Sequence, residues 1–361
     1  MLDPFWLMVL VVLLAIAFDY INGFHDTANA IATVVSTNVL SPRAAVLLAA
    51  VFNFGGAFLG TGVATTIGGD IADPASVTQT VVMCALLAAI SWNLLTWWFG
   101  IPSSSSHTLV GGIVGAVWAK RVLAEQLPAG ASMWKLVTSS GVVKVLKGLL
   151  ISPLAGFILG LLMMVAVTWI VRRSAPKSVN RIFKRLQLVS ASAMALSHGT
   201  NDAQKVMGIV TMSLYAYYGS LPVAQGPGWL DLATWQAKHE LVVPTWVIGV
   251  CALAMAFGTA AGGWRIMKTM GSRIIRLKPI HGFCAETAGA LVLFGAAQMH
   301  APVSTTHVIS SSIMGVGASR RMSAVRWGVA GNMVMAWVLT LPVSAALAAG
   351  CYFVLRNYFG N

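Results

Sequence analysis

Four short polar patterns interrupt an otherwise apolar chain of 361 residues, and they form two pairs that recur in the same order. The first pair is Asn22-Gly23-Phe24-His25-Asp26-Thr27-Ala28-Asn29 and His198-Gly199-Thr200-Asn201-Asp202-Ala203-Gln204-Lys205. The second is Pro102-Ser103-Ser104-Ser105-Ser106-His107 and Pro302-Val303-Ser304-Thr305-Thr306-His307. Asp26 and Asp202 hold matching places in runs too apolar to be loops. A charge at the centre of a bilayer costs roughly 2.5–3.5 kcal/mol on insertion scales, so such residues face a cavity and are paired. A carboxylate with an asparagine beside it, Asn29 or Asn201, is hard-cation chemistry or a protonatable relay. A carboxylate that only locks helices together is the plainer alternative, and the duplication weighs against it.

The second pattern suits an anion. Proline is favoured where a helix begins, and Ser or Thr caps its exposed N–H groups. Ser104, Ser105 and Ser106, with Ser304, Thr305 and Thr306, set hydroxyl donors at two helix starts, each of which adds a positive dipole end. Two such starts make a pocket for a tetrahedral oxyanion; hydroxyls bonding only their own backbone are the alternative. His107 and His307 close the two runs and could donate to an anion, carry a proton, or tie a helix to a carbonyl. His25 and His198 flank the aspartates and are weaker candidates. Glu286 is an intramembrane acid with no counterpart in the first half, either a coupling group or a partner for a Ser or backbone group. Lys205 stands where the first half has Asn29. It could hold a fixed positive charge in place of a cation, contact the anion, pair with Asp202, or snorkel outward. Gln204, next to it, joins the anion-binding candidates.

The elements that carry these motifs must lie in a membrane. The chain is 57% hydrophobic and 9% charged, where soluble domains carry about 25% charge. Apolar stretches at 5–21, 43–67, 77–99, 152–171, 242–264 and 327–354 are long enough for roughly 30 Å of hydrocarbon. The first lacks a basic leader region, so it reads as mature protein. The net charge of +13 sits in short connections, Arg172 to Arg185, Arg265 to Lys278 and Arg320 to Arg326, which is the positive-inside pattern rather than a nucleic-acid footprint. Cys84, Cys251, Cys284 and Cys351 show no metal-ligand spacing and read as packing residues. Trp97, Trp98 and Trp118 fit interfacial anchoring.

With basic clusters in the cytoplasm, the connection at 69–76, holding Asp70 and Asp73, and the segment 219–240 fall outside. Span 43–67 then runs outward and 242–264 inward, while 77–99 runs inward and 280–299 outward. Corresponding elements run in opposite senses, an inverted-topology repeat. The expected organisation is a first repeat at 1–171 with an interfacial helix at 135–150, a basic cytoplasmic connection at 172–185, and a second repeat at 186–361. That makes an all-α membrane protein of about ten elements, with broken or re-entrant helices meeting at the midplane and both ends outside. Lys120 and Arg121 fit poorly unless 103–119 is re-entrant. An intramembrane hydrolase would need only one copy of a Ser-His-Asp set, and no HExxH or GxSxG pattern occurs, so the chain reads as no enzyme.

Over nearly its whole length the chain resembles the inorganic phosphate transporter (Pit) family, in the four ordered motifs NGFHDTANA, PSSSSH, SHGTNDAQK and PVSTTH. The resemblance implies import of inorganic phosphate, possible also as a metal complex, by cation symport across a bacterial cytoplasmic membrane, without a cofactor. It implies Asp26, Asn29, Asn201 and Asp202 as cation and phosphate core and the two hydroxyl runs as phosphate donors. It further implies a homodimer and a small cytosolic regulator of the PhoU-like type. Sodium-coupled relatives typically have Asn-Asp where this chain has His25-Asp26, and Asn where it has Lys205. The chain is more similar to proton-coupled members, though it lacks their long hydrophilic insert. H⁺ is therefore the expected coupling ion, with Na⁺ on Asp26, Asn29 and Asp202 the alternative and a sulfate permease the other.

Overall fold

The computed structural model describes residues 3–69, 77–124, 140–219, 221–238 and 240–359, and every regular element among them is helical. Helix α1, Pro4–Ser36, starts on a proline, and the Asp3 carboxylate accepts the Phe5 N–H at 2.8 Å. Its 33 residues make about 50 Å of helix, so the apolar run 5–21 continues unbroken through the first aspartate motif. The same holds for α7, Pro176–Tyr218, which carries the second aspartate motif in its middle. Breaks at these two motifs, implied by helices interrupted at the midplane, do not occur.

The breaks lie elsewhere. The expected span 43–67 divides into α2, Pro42–Gly56, and α3, Gly62–Gly69. The Gln204 side-chain oxygen accepts the Val63 N–H at 2.7 Å and so caps the start of α3. In the second half α9, Thr245–Ala261, is followed by α10, Trp264–Lys268, and a π-helical turn at Thr269–Arg273. The two parts meet at 60°, at Gly262 with φ +77°, a backbone conformation that glycine adopts without strain. The remaining principal helices are α4, Gln79–Phe99, α5, Ser105–Leu123, α6, Ser140–Val171, the short α8, Leu232–Lys238, α11, Pro279–Gln298, α12, Thr305–Ala318, and α13, Trp327–Phe359.

By length and apolarity α1, α4, α6 from Leu146, α11 and α13 can each cross a membrane, and α9 with its bent continuation makes a sixth. The motif helix α12 has only 14 residues, and the polar residues of α5 and of the middle of α7 lower their hydropathy, so none passes the same test. Residues 176–185, expected in the connection, are the first turns of α7, and only 172–175 join it to α6. Of the expected interfacial helix, 135–139 lie outside the described residues, as do Asp70 and Asp73. Residues 140–150 are the first turns of α6, which runs on through Pro153 instead of ending as a separate helix. Lys120 and Arg121 occupy the last turn of α5, where cations complement the helix dipole.

Packing exchanges partners between the halves. Helix α5 lies between α4 and α13, while α12 lies between α11 and α6; α1 packs on α9, and α2 on α7. The last helix of each half thus covers the hydroxyl-rich helix of the other. These crossings are close because a glycine stands at each. A Cβ on Gly115 would meet the Ala345 carbonyl of α13, and one on Gly315 would meet the Phe157 carbonyl of α6. Outward side chains such as Leu150, Ile151 and Leu154 on α6 and Met335 and Val338 on α13 are exposed and apolar, as a lipid-facing surface requires. Cys84, Cys251 and Cys284 are buried, and all four cysteines are free.

Candidate functional site

The two hydroxyl-rich motifs start helices as their composition predicts. Ser104 and Ser304 are the N-caps: the Ser104 hydroxyl oxygen accepts the His107 N–H at 3.2 Å and the Ser304 oxygen accepts the His307 N–H at 3.3 Å. Those two hydroxyls therefore serve their own helices. Ser106 donates to the Val303 carbonyl at 3.3 Å, joining one helix start to the other. Ser105, Thr305 and Thr306 turn into the core, where α1 and α7 present their aspartates.

Both aspartates are buried and hydrogen-bonded. Asp26 faces His25 Nδ1 at 2.7 Å, and accepts from Ser105 at 3.2 Å and Thr306 at 3.4 Å. Asp202 pairs with the Lys205 ammonium one turn along α7, has His198 Nε2 at 3.2 Å, and accepts from Thr305 at 3.0 Å. Ligand atoms of Asp26, His198 and Asp202 all lie within 4.8 Å of one another. The Asn29 amide joins the two carboxylate shells by donating to Thr305 at 3.2 Å and Thr306 at 2.9 Å. Residues from both halves, more than 170 positions apart in the sequence, thus build one cluster. The glycines inside the motifs permit this. A Cβ on Gly23 would strike the Met255 carbonyl of α9, and one on Gly199 the Asn53 backbone of α2.

Above the aspartates the rings of His107 and His307 meet edge to face with centroids 4.5 Å apart, and Trp337 of α13 stacks on His307 at 4.1 Å. His107 has no hydrogen-bond partner on either ring nitrogen among the described residues, while the His307 ring lies against the Leu149 carbonyl of α6. His25 is different: its Nε2 lies 3.1 Å from the Thr96 hydroxyl, so the ring is held from α4 while Nδ1 holds Asp26.

Three candidates stand apart from this cluster. Gln204 caps α3 at Val63 and does not reach the hydroxyl-rich helix starts. Asn201 turns its amide to the Ser197 and Leu293 carbonyls, both at 3.0 Å. Glu286 accepts from Thr33 and Ser190, each at 2.5 Å, and from Gln187 at 3.0 Å. That network ties α11 to α1 and α7 with no bond to either aspartate.

One residue escaped the sequence reading. Asp19 on α1 has no exposed surface, and the Cys251 thiol is the one side chain that donates to its carboxylate among the described residues. Cys251 faces it, and Asp202 and Lys205 lie within Coulombic reach. An acid inside the apolar run 5–21 was the available signal. Asp19→Asn is expected to leave the melting temperature unchanged or higher, because the isostere removes a charge that the interior does not pair. A loss of stability of about 1 kcal/mol or more in a thermal melt would show that the charged carboxylate is held by more than the weak Cys251 thiol donor.

The core around the cluster therefore holds buried acceptors and donors that no described residue satisfies. The side-chain oxygens of Asn22, Asn29 and Asn201 are buried without partners among the described residues, as are both ring nitrogens of His107. Oxygens of this kind fit a hard cation or a proton, and the ring nitrogens fit an oxyanion or a proton. Apolar helices enclosing such a centre define a multi-pass membrane protein with a polar core. Comparison with known proteins narrows the class. Residues 22–178 and 171–348 match the model of the phosphate transporter family. A low-affinity inorganic phosphate transporter by description from Bacillus subtilis is 47% identical over 355 residues, 98% of each chain. A protein of the same description from Rhizobium meliloti is 48% identical over 97% of this chain and 96% of its own. The solved structure described as the sodium-dependent phosphate transporter superposes with a TM-score of 0.80, covering 98% of this chain and 99% of the other at 22% identity. The chain belongs to the phosphate transporter family. It is a transporter and not an enzyme, a multi-pass protein of the bacterial cytoplasmic membrane.

Proposed function

We propose that this protein imports inorganic phosphate by cation symport, with protons as the coupling ion. The observation that carries this reading is a competition for donors. Ser105 and Thr306 donate to Asp26, and Thr305 donates to Asp202, yet these hydroxyls belong to the helix starts suited to an oxyanion. While the carboxylates are bare they hold the donors and repel an anion through a low-dielectric core. A proton on Asp26 removes both obstacles, and HPO₄²⁻ or H₂PO₄⁻ then docks between the two starts, with His107 and His307 donating alongside. Release on the other side returns the hydroxyls to the aspartates.

Lys205 supports protons over sodium. Its ammonium already neutralises Asp202, at the place where the first half has an amide oxygen, and an ammonium cannot ligate a metal ion. The second reading is sodium coupling, favoured by the unpartnered oxygens of Asn29 and Asn201 near the aspartates. In either case the two repeats, 1–171 and 186–361, run in opposite senses through the membrane, so one cluster can open alternately to each side.

The test is radiolabelled phosphate uptake into proteoliposomes under an inward proton gradient, an inward sodium gradient, and with excess cold sulfate. Proton-driven uptake insensitive to sulfate is the expected result. Sodium-driven uptake would overturn the coupling assignment, and strong inhibition by sulfate would move the substrate. Asp26→Asn is expected to abolish gradient-driven uptake in the same assay while the protein elutes as a folded species. Normal accumulation in that variant would remove Asp26 from the mechanism.

A further inference from the structure

Away from the aspartate cluster, the corner between α12 and α13 faces the segment leading into α11 across a cavity of about 550 Å³. Arg276 lines it from one side and Arg320, Arg321 and Arg326 from the other, with His281 and Ser323 between them. The two walls are fastened together, since the Arg326 backbone N–H donates to the Ile274 carbonyl at 3.1 Å. Ile274, Ile275 and Val325 anchor them in the apolar core at 5% exposure or less. His281 is also buried, with Nδ1 accepting the Lys278 N–H at 3.2 Å, which fixes its ring.

Four guanidinium groups converge here without an acid. From residue 241 to the end of the sequence the sole Asp or Glu is Glu286, and its oxygens are bonded to Thr33, Ser190 and Gln187. General positive-inside bias accounts for basic residues spread over a cytoplasmic face. It does not account for four of them lining one half-enclosed hollow, where like charges repel and stay unscreened more than on an open surface. An incoming anion relieves that repulsion. Guanidinium forks match the paired oxygens of a phosphoryl group, and basic pockets at membrane-helix ends hold phospholipid headgroups.

We propose that this cavity binds a phosphate-bearing anion, either the headgroup of an acidic phospholipid or inorganic phosphate itself, at a site separate from the transport core. The separation follows from α12, whose N-terminal end carries Thr305 and Thr306 and whose far end opens on the cavity. Its 14 residues place the two about 20 Å apart. An anion held there bridges the α12–α13 corner to the segment before α11, so it braces the helix that bears the second set of hydroxyl donors.

The experiment compares the full-length protein in nanodiscs of phosphatidylcholine alone, of phosphatidylcholine with phosphatidylglycerol, and of phosphatidylcholine with added inorganic phosphate. Melting temperature is the readout, together with equilibrium binding of labelled phosphate. Arg320→Gln/Arg321→Gln is set against Arg181→Gln/Lys184→Gln, which removes two charges from the start of α7. Arg321→Lys keeps the charge and loses the fork, which covers the case in which the double variant fails to fold. Stabilisation of the wild type by phosphatidylglycerol of about 5 °C, lost in the Arg320/Arg321 and Arg321→Lys variants and kept in the control, supports the proposal with a lipid source. A phosphate-binding component lost in the same variants supports it with a free source. Equal losses in the control variant, or no effect of either anion on the wild type, would overturn it.

Discussion

Asp202→Asn is expected to abolish phosphate uptake and also to destabilise the protein, and the two effects are separable. Asp202 and Lys205 are at most 3% exposed in their side chains, on one turn of α7, with His198 and Thr305 completing the carboxylate's shell. Removing the carboxylate leaves an ammonium inside the bundle with no partner, which costs about 3–5 kcal/mol for a buried pair. Replacing both residues, Asp202→Asn with Lys205→Gln, takes the unpaired charge away. The double variant is therefore expected to recover most of the lost melting temperature without recovering uptake. Thermal melts and proteoliposome uptake on the two single variants and the double variant complete the cycle. If the double variant transported normally, the pair would be only a lock between helix turns, and the coupling role assigned to Asp202 would fall.

A second large effect is structural. Gly115→Val is expected to prevent correct assembly, at a cost of about 3 kcal/mol or more, the upper part of the usual range for overpacking. The obstacle is the Ala345 carbonyl and the rest of that residue's backbone, so no rotamer change on α13 relieves it. Gly315→Val meets the Phe157 backbone of α6 in the same way. Gly328→Val and Gly331→Val, on α13 where no atom lies near the added carbon, are expected to be tolerated. Yield of monodisperse protein and melting temperature check the set. Comparable behaviour of all four variants would mean that the crossings are looser than these contacts require.

How much of this was legible in the sequence depends on the range of the interaction involved. The helix starts just after Pro102 and Pro302 were legible because a serine cap acts within one turn, and Ser104 and Ser304 cap as expected. The division of labour among the hydroxyls was not, because it depends on the rotation of α5 and α12 against α1 and α7. The aspartates were found because they are duplicated. Asp19 was passed over for the converse reason: its counterpart in the repeat is Ala195, so comparison of halves carries no signal there. The interruption between α2 and α3 falls among Gly55, Gly56, Gly60 and Gly62, glycines that packing in a membrane helix would equally explain, and its cap comes from Gln204 in the other half. That same long-range bond explains why Gln204, adjacent to Lys205 in the motif, faces away from the core. Lys205 itself offered four readings, and the one the fold adopts uses the i, i+3 spacing of a helix.

The exchanged packing of α6 and α13 has a consequence for how the molecule is made. When the ribosome has finished the first half, α5 has its neighbour α4, yet the surface that α13 covers is bare and α6 has no partner of its own half to match it. Those faces stay in lipid until residues 305–359 have been inserted, so neither half is a folding unit. A polypeptide truncated after the first half would present two adhesive faces to other chains, and two separately synthesised halves could each supply what the other lacks. The bundle closes only when α13 has been inserted against α5 and α4.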